Sequence, residues 1–122
     1  MNSKKTAILI DWLVQVSQAY EIIDLALHVS VALTYIYLAK TTEQITNANL
    51  QLIGVTALMI ATKLEDVEYM TPRECTVICD EGYDVQTVVQ CERQFLKVLD
   101  YRIKPPTAYP FLMRFLVISQ AT

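Results

Sequence analysis

Leu50-Gln51-Leu52-Ile53-Gly54-Val55-Thr56-Ala57-Leu58-Met59-Ile60-Ala61-Thr62, followed at once by Lys63-Leu64-Glu65-Asp66, is the stretch on which the fold turns. From Leu52 to Thr62 it carries no charge at all. A helix that is hydrophobic all round is normally the centre of a bundle. The segment is therefore expected to be a helix, beginning near Thr46 or Asn47 and ending near Glu65, with other helices on every side. Gly54, Ala57 and Ala61 lie at i, i+3 and i+7. Glycine inside a helix costs about 1 kcal/mol against alanine, and close approach of a neighbouring helix along that ridge is the expected compensation.

Toward the N-terminus, Leu9, Leu13, Val16 and Tyr20 recur at helical spacing and predict a first helix from about Lys4 to Tyr20. Ile8, Trp12 and Gln15 form a second row beside this stripe, so the helix is either deeply buried or keeps one face for a partner. Asp24 is expected to cap a second helix ending near Lys40. On the C-terminal side, Thr71-Pro72-Arg73-Glu74 reads as a capping box with proline at the first helical position. That fourth helix is expected to stop around Cys79, before Asp80-Glu81-Gly82. Asp84 then caps a fifth helix reaching to about Leu99. Pro105-Pro106 ends the region, and Phe111, Leu112, Phe115 and Leu116 mark a trailing helical segment from Thr107 to Ser119. The expected fold is all-α: five helices around an apolar third one, over residues 1–104, with 105–122 as a trailing segment.

Composition agrees and excludes several functions. With 122 residues, 53% of them apolar, and only two glycines and four prolines, the chain has the size and apolar content of one well-packed helical domain. Net charge is −3, and no basic run exceeds Lys4-Lys5. Phosphate backbones need a concentrated positive footprint, so nucleic acid is not an expected partner. The uncharged run from Leu25 to Ala39 contains His28 and is too short to span a bilayer. The three cysteines, Cys75, Cys79 and Cys91, form no disulfide-like framework. They also lack the paired spacing of a zinc site, even with His28 added, and nothing orients a cysteine–histidine nucleophile pair. No cofactor or metal is expected, and no enzymatic constellation is found. The chain reads as soluble and intracellular, nuclear and/or cytoplasmic.

Several of these stretches resemble the cyclin family, specifically the N-terminal cyclin box of the A/B mitotic type. Ala7-Ile8-Leu9-Ile10-Asp11-Trp12-Leu13 is similar to the family's first-helix signature, Leu27-His28 to the start of its second, and Leu50 to Gly54 with Ala61 to Asp66 to its third. Glu92 followed by Phe95-Leu96-Lys97-Val98-Leu99 resembles the fifth, and Pro106-Thr107-Ala108-Tyr109 with Phe111-Leu112 the passage into a second cyclin fold. The resemblance covers roughly Lys4 to Leu116. It implies the five-helix cyclin-box bundle and a regulatory subunit, not an enzyme, that binds and activates a cyclin-dependent kinase in G2/M control. It also implies a longer protein with an N-terminal regulatory extension and a complete second fold.

The same resemblance assigns roles. Lys63 and Glu92 match the family's kinase-facing lysine and glutamate; the bland alternative is two ordinary surface charges. Ile60, Leu64, Leu96 and Ile103 match apolar positions that pack on the kinase's C-helix; the alternative is core packing. Leu64 stands where the signature commonly has phenylalanine. Ile8, Leu9, Trp12, Gln15, Leu50 and Gln51 match a patch that captures Arg-x-Leu peptides of substrates and inhibitors, the alternative being that Trp12 is simply core. Lys5 and Thr6 depart from the signature's methionine and arginine. Gln15 stands where an acidic residue receives the motif's arginine, which removes that charge-assisted bond. Tyr35-Ile36 replaces an Asp-Arg pair. A cyclin-fold scaffold that binds transcription machinery or other proteins without activating a kinase is the competing reading. The apolar residues of 107–119 are expected to fold back on the bundle or to mediate self-association.

Overall fold

The computed structural model describes residues 3–41, 45–66, 68–80 and 82–101. Five helices follow in order: α1 (Ser3–Ala19), α2 (Asp24–Lys40), α3 (Asn47–Glu65), α4 (Pro72–Ile78) and α5 (Val85–Val98). Ile103, the trailing 107–119 segment and its expected self-association lie outside the described residues. None of the helices formed by the described residues is long and apolar enough to cross a membrane.

α3 is the axis. Leu52, Val55, Leu58 and Met59 pack with Leu9, Leu13 and Val16 of α1 and with Cys75 of α4, in a first core cluster that also takes in Val88 of α5. Ile53, Ala57, Ile60 and Ala61 face the other way, into a second cluster with Ala26, Val29, Leu33 and Tyr37 of α2 and with Phe95 and Leu99. The Tyr37 and Phe95 rings stack with centroids 4.6 Å apart and planes 11° from parallel, a geometry that adds about 1 kcal/mol beyond area burial. The small residues of α3 therefore serve two neighbours rather than one. Gly54 meets α1, where an added Cβ would lie 2.7 Å from Leu9 Cδ1. Ala57 and Ala61 belong to the α2–α5 side.

Polar groups inside this apolar bundle are satisfied locally. Thr34 and Thr56 donate to the carbonyls of Ser30 and Leu52, one turn back. The Thr62 hydroxyl donates to the Met59 carbonyl and accepts the Met70 N–H at 3.0 Å. That second bond ties the chain after α3 back onto the helix and fixes where α4 begins. No buried side-chain nitrogen or oxygen among the described residues lacks a partner.

The helix starts follow side-chain chemistry in three cases. Thr46 accepts the Asn49 N–H (3.2 Å). Thr71 and Glu74 make both bonds of a capping box. Asp84 accepts from the hydroxyl and from the backbone N–H of Thr87, and these bonds, the hydroxyl's first, hold its exposed carboxyl below the usual range. Asp24 is a correction. Ile23, in extended conformation, is the N-cap and makes no side-chain cap. Asp24 is the first helical residue, where its charge meets the positive end of the helix. Tyr20 is a second correction: α1 has ended, the Ile22 N–H bonds the Ser17 carbonyl (2.8 Å), and Tyr20 is exposed. This closure places Glu21 at a φ of 54°, a left-handed conformation normally given to glycine.

Two substitutions should therefore shift the urea midpoint in opposite directions. Thr71→Ala removes the capping box and is expected to cost about 1 kcal/mol. Glu21→Gly relieves the left-handed penalty and is expected to gain about 1 kcal/mol. A destabilising Glu21→Gly would contradict the assigned α1 terminus.

Candidate functional sites: a charged pair and an apolar groove

The uncharged length of α3 ends at Thr62, and the next residue is the one cation of the helix's last turn, Lys63. Its Nζ lies 2.7 Å from Glu92 Oε2 on α5. The side chains are 37% and 17% exposed, so the pair lies at the surface with the carboxylate the more enclosed partner. Leu64 follows Lys63, and Leu96 lies one turn beyond Glu92. Both are half-buried and pack against the second core cluster. The structure thus gathers Lys63, Glu92, Leu64 and Leu96 where α3 and α5 meet. Ile60 is different. At 3% exposed it lies inside the second cluster, because α3 is enclosed on all sides one turn before its end. This corrects the expected Ile60–Leu64 contact face: Ile60 supports the site from below and does not present itself.

Cys75 of α4, close enough to feel both charges of the pair, is fully buried. Burial is the main reason its thiol is pushed up to about 12; Cys79, Glu74 and Glu92 add to this and Lys63 opposes it. Cys79 is pushed up to about 11, first by burial and then by Cys91. None of the three cysteines forms a disulfide among the described residues. Among the described residues no group of three or more His, Cys, Asp or Glu side chains is placed to hold a metal ion.

On the opposite side of α3, its beginning and α1 bound a groove of about 560 Å³, lined by Lys5, Ile8, Leu9, Trp12, Leu50 and Gln51. Leu9 and Leu50 are buried and form the floor. Trp12 and Gln51 are half-buried, and Ile8 is 61% exposed. Gln15 is exposed and does not line the groove. Lys5, not among the expected patch residues, does line it. Its spacing to Ile8 and Trp12, at i+3 and i+7, is the signal that marks it. A smaller cavity of about 350 Å³ lies between Tyr37, the start of α3 and α5, with Asn49, Ile53, Gln90 and Cys91 in its wall. No local pattern announces it, since its walls come from three separate helices.

Among the described residues the bundle thus carries an ion pair at one end of its central helix and an apolar groove at the other. The chain belongs to the cyclin family: residues 1–104 match the family model "Cyclin, N-terminal domain". It is 37% identical over 121 residues to Cyclin-B2-1 of Arabidopsis thaliana, covering 99% of this chain and 28% of that protein. It is 33% identical to G2/mitotic-specific cyclin-2 of Medicago sativa, covering 99% of this chain and 36% of that protein. The chain thus spans roughly a third or less of the length of these relatives. Among solved structures, a viral cyclin from herpesvirus saimiri superimposes with a TM-score of 0.77 at 20% identity, over 90% of this chain and 55% of the other. That likeness shows the cyclin fold.

The thiols supply a test of this part of the bundle. An unfolded cysteine ionises near pH 9, whereas native Cys75 and Cys79 do so only near 12 and 11. Rising pH therefore favours the unfolded state as its thiols ionise. Stability should fall progressively above about pH 9, and less steeply in a Cys75→Ala, Cys79→Ala variant. At pH 8 both thiols should resist iodoacetamide until urea unfolds the chain. Rapid labelling of the native chain at Cys75 would contradict its placement.

Proposed function

We propose that this chain is the kinase-binding cyclin box of a regulatory subunit that binds and activates a cyclin-dependent protein kinase in G2/M control. Cyclins are regulatory proteins rather than enzymes, and the names of the relatives are those of B-type and G2/mitotic cyclins. With that role goes a nuclear or cytoplasmic location.

The observation that carries the proposal is the Lys63–Glu92 pair, already formed at 2.7 Å in the free chain. A surface ion pair of this exposure contributes only about 0.2–1 kcal/mol to stability, so stability alone gives little reason for it. At an interface the arithmetic changes. Once a partner excludes water, truncating one member of such a pair costs about 2–5 kcal/mol, because the other charge is left buried alone. A preformed pair also needs little reordering on binding. Leu64 and Leu96 would supply the apolar contact beside it, on a support made by Ile60.

Activation follows from where the partner's mobile helix would rest. The family's action is to hold the kinase C-helix inward, so that its glutamate pairs with the ATP-binding lysine. A bundle locked around α3 offers a rigid surface for this, and the cyclin contributes no reacting group.

Binding of the chain to a panel of purified monomeric cyclin-dependent kinases, with Lys63→Ala, Glu92→Ala and the double variant, tests the reading. The expected result is binding to at least one kinase, weakened by about 2 kcal/mol or more in each single variant. The double variant should lose less than the sum, and all variants should unfold within about 1 kcal/mol of the parent. Indifference of kinase binding to both residues would contradict the proposed surface. Failure of the folded chain to bind any kinase would favour the scaffold reading.

A further inference from the structure

We propose that the groove between α1 and α3 takes a short apolar peptide whose charged residue is acidic. This rests on reading the groove as a peptide-docking site and is independent of the kinase surface. The apolar part of the site is complete: Leu9 and Leu50 close the floor, Ile8 and Trp12 stand at its side, and the volume of about 560 Å³ lies within the usual range of ligand pockets. The Gln51 amide can both donate and accept, as an extended peptide backbone requires.

Charge decides the class of peptide. Lys5 is the only ionisable side chain lining the groove among the described residues. It is exposed, and no described residue forms an ion pair with it. Among the described residues no carboxylate lines the groove. Asp11, the nearest in sequence on α1, is exposed and outside the lining. Gln15, one turn beyond Trp12, is neutral. Leu50 and Gln51 are the fourth and fifth residues of α3, so this wall stands at the positive end of a helix with no acidic residue in its first turn. An arginine entering here meets a lysine and a positive helix end, and among the described lining residues only the neutral Gln51 amide oxygen can accept from it. A glutamate or aspartate meets a favourable field from both. The surface that the family resemblance ties to Arg-x-Leu peptides is in this chain complementary to the opposite charge.

Trp12 is the chain's single tryptophan, so its emission reports on the groove directly. Three synthetic peptides sharing an x-Leu-Phe end, with Glu, Gln or Arg at the leading position, would be titrated into the intact chain and into Lys5→Glu and Ile8→Glu variants. Circular dichroism would verify that each variant is folded. The Glu peptide is expected to bind about three- to tenfold more tightly than the Arg peptide at low salt. That preference should shrink in about 0.5 M salt and reverse in Lys5→Glu. Ile8→Glu removes an apolar contact and adds a negative charge, so it should weaken the Glu and Gln peptides and shift the preference toward the Arg peptide. Preference for the Arg peptide, or equal binding of all three, overturns the charge assignment while keeping the groove as a docking site. No peptide binding at all overturns the docking reading itself. Trp12 emission that shifts with protein concentration alone, without peptide, assigns the groove to a second copy of the chain and likewise overturns the inference.

Discussion

A helix with no charge between Leu52 and Thr62 has no side that it can turn to water, and the rest of the bundle follows from covering it. α1 and α4 close one side and α2 closes the other, with α5 contributing to both core clusters. Both clusters share α3. Its backbone amides are internally bonded, and its buried threonines bond the carbonyls three or four residues back. What remains exposed on α3 is its two ends. The groove uses the first and the charged pair the second, so the two candidate surfaces are separated by the buried length of one helix.

The elements that could be read from sequence were those decided locally. The uncharged run, the Thr71–Glu74 capping box and the Asp84 cap each depend on residues a few positions apart, and they appear in the structure at the expected positions. The misreadings were also local in cause. Asp24 is an excellent capping residue in isolation, yet the chain enters α2 from an extended Ile23, and packing sets that entry. Tyr20 continues the apolar spacing of α1 but falls after the helix has turned away. Ile60 has the spacing of a contact residue and is core, because periodicity cannot tell a face covered by the bundle from one left for a partner. The Lys63–Glu92 contact joins residues 29 apart in sequence. No pattern within either helix predicts it; the family resemblance brought the two residues together.

The two surfaces follow different physics. At the Lys63–Glu92 end, a partly enclosed ion pair beside half-buried leucines contributes little to the isolated fold and much once a partner removes water. At the groove, apolar contacts with Leu9, Leu50, Ile8 and Trp12 supply affinity, and the sign of one exposed charge sets selectivity. Of the departures from the family's pattern, Lys5 lines the groove and Gln15 lies beyond it on α1, Leu64 stands beside the charged pair, and Lys63 and Glu92 keep the matching residue types. On the proposed reading, kinase engagement is retained and the choice of docked peptide has diverged.

Lysine footprinting of the chain, free and bound to a cyclin-dependent kinase, tests the central claim most directly, because Lys63 and Lys5 mark the two ends of α3 within one experiment. Acylation with a water-soluble reagent, followed by peptide mass analysis, reads each lysine separately. The account predicts that kinase binding protects Lys63 strongly and leaves Lys5 and Lys40 as reactive as in the free chain. Protection of Lys5 with Lys63 still open would place the kinase on the groove and contradict it.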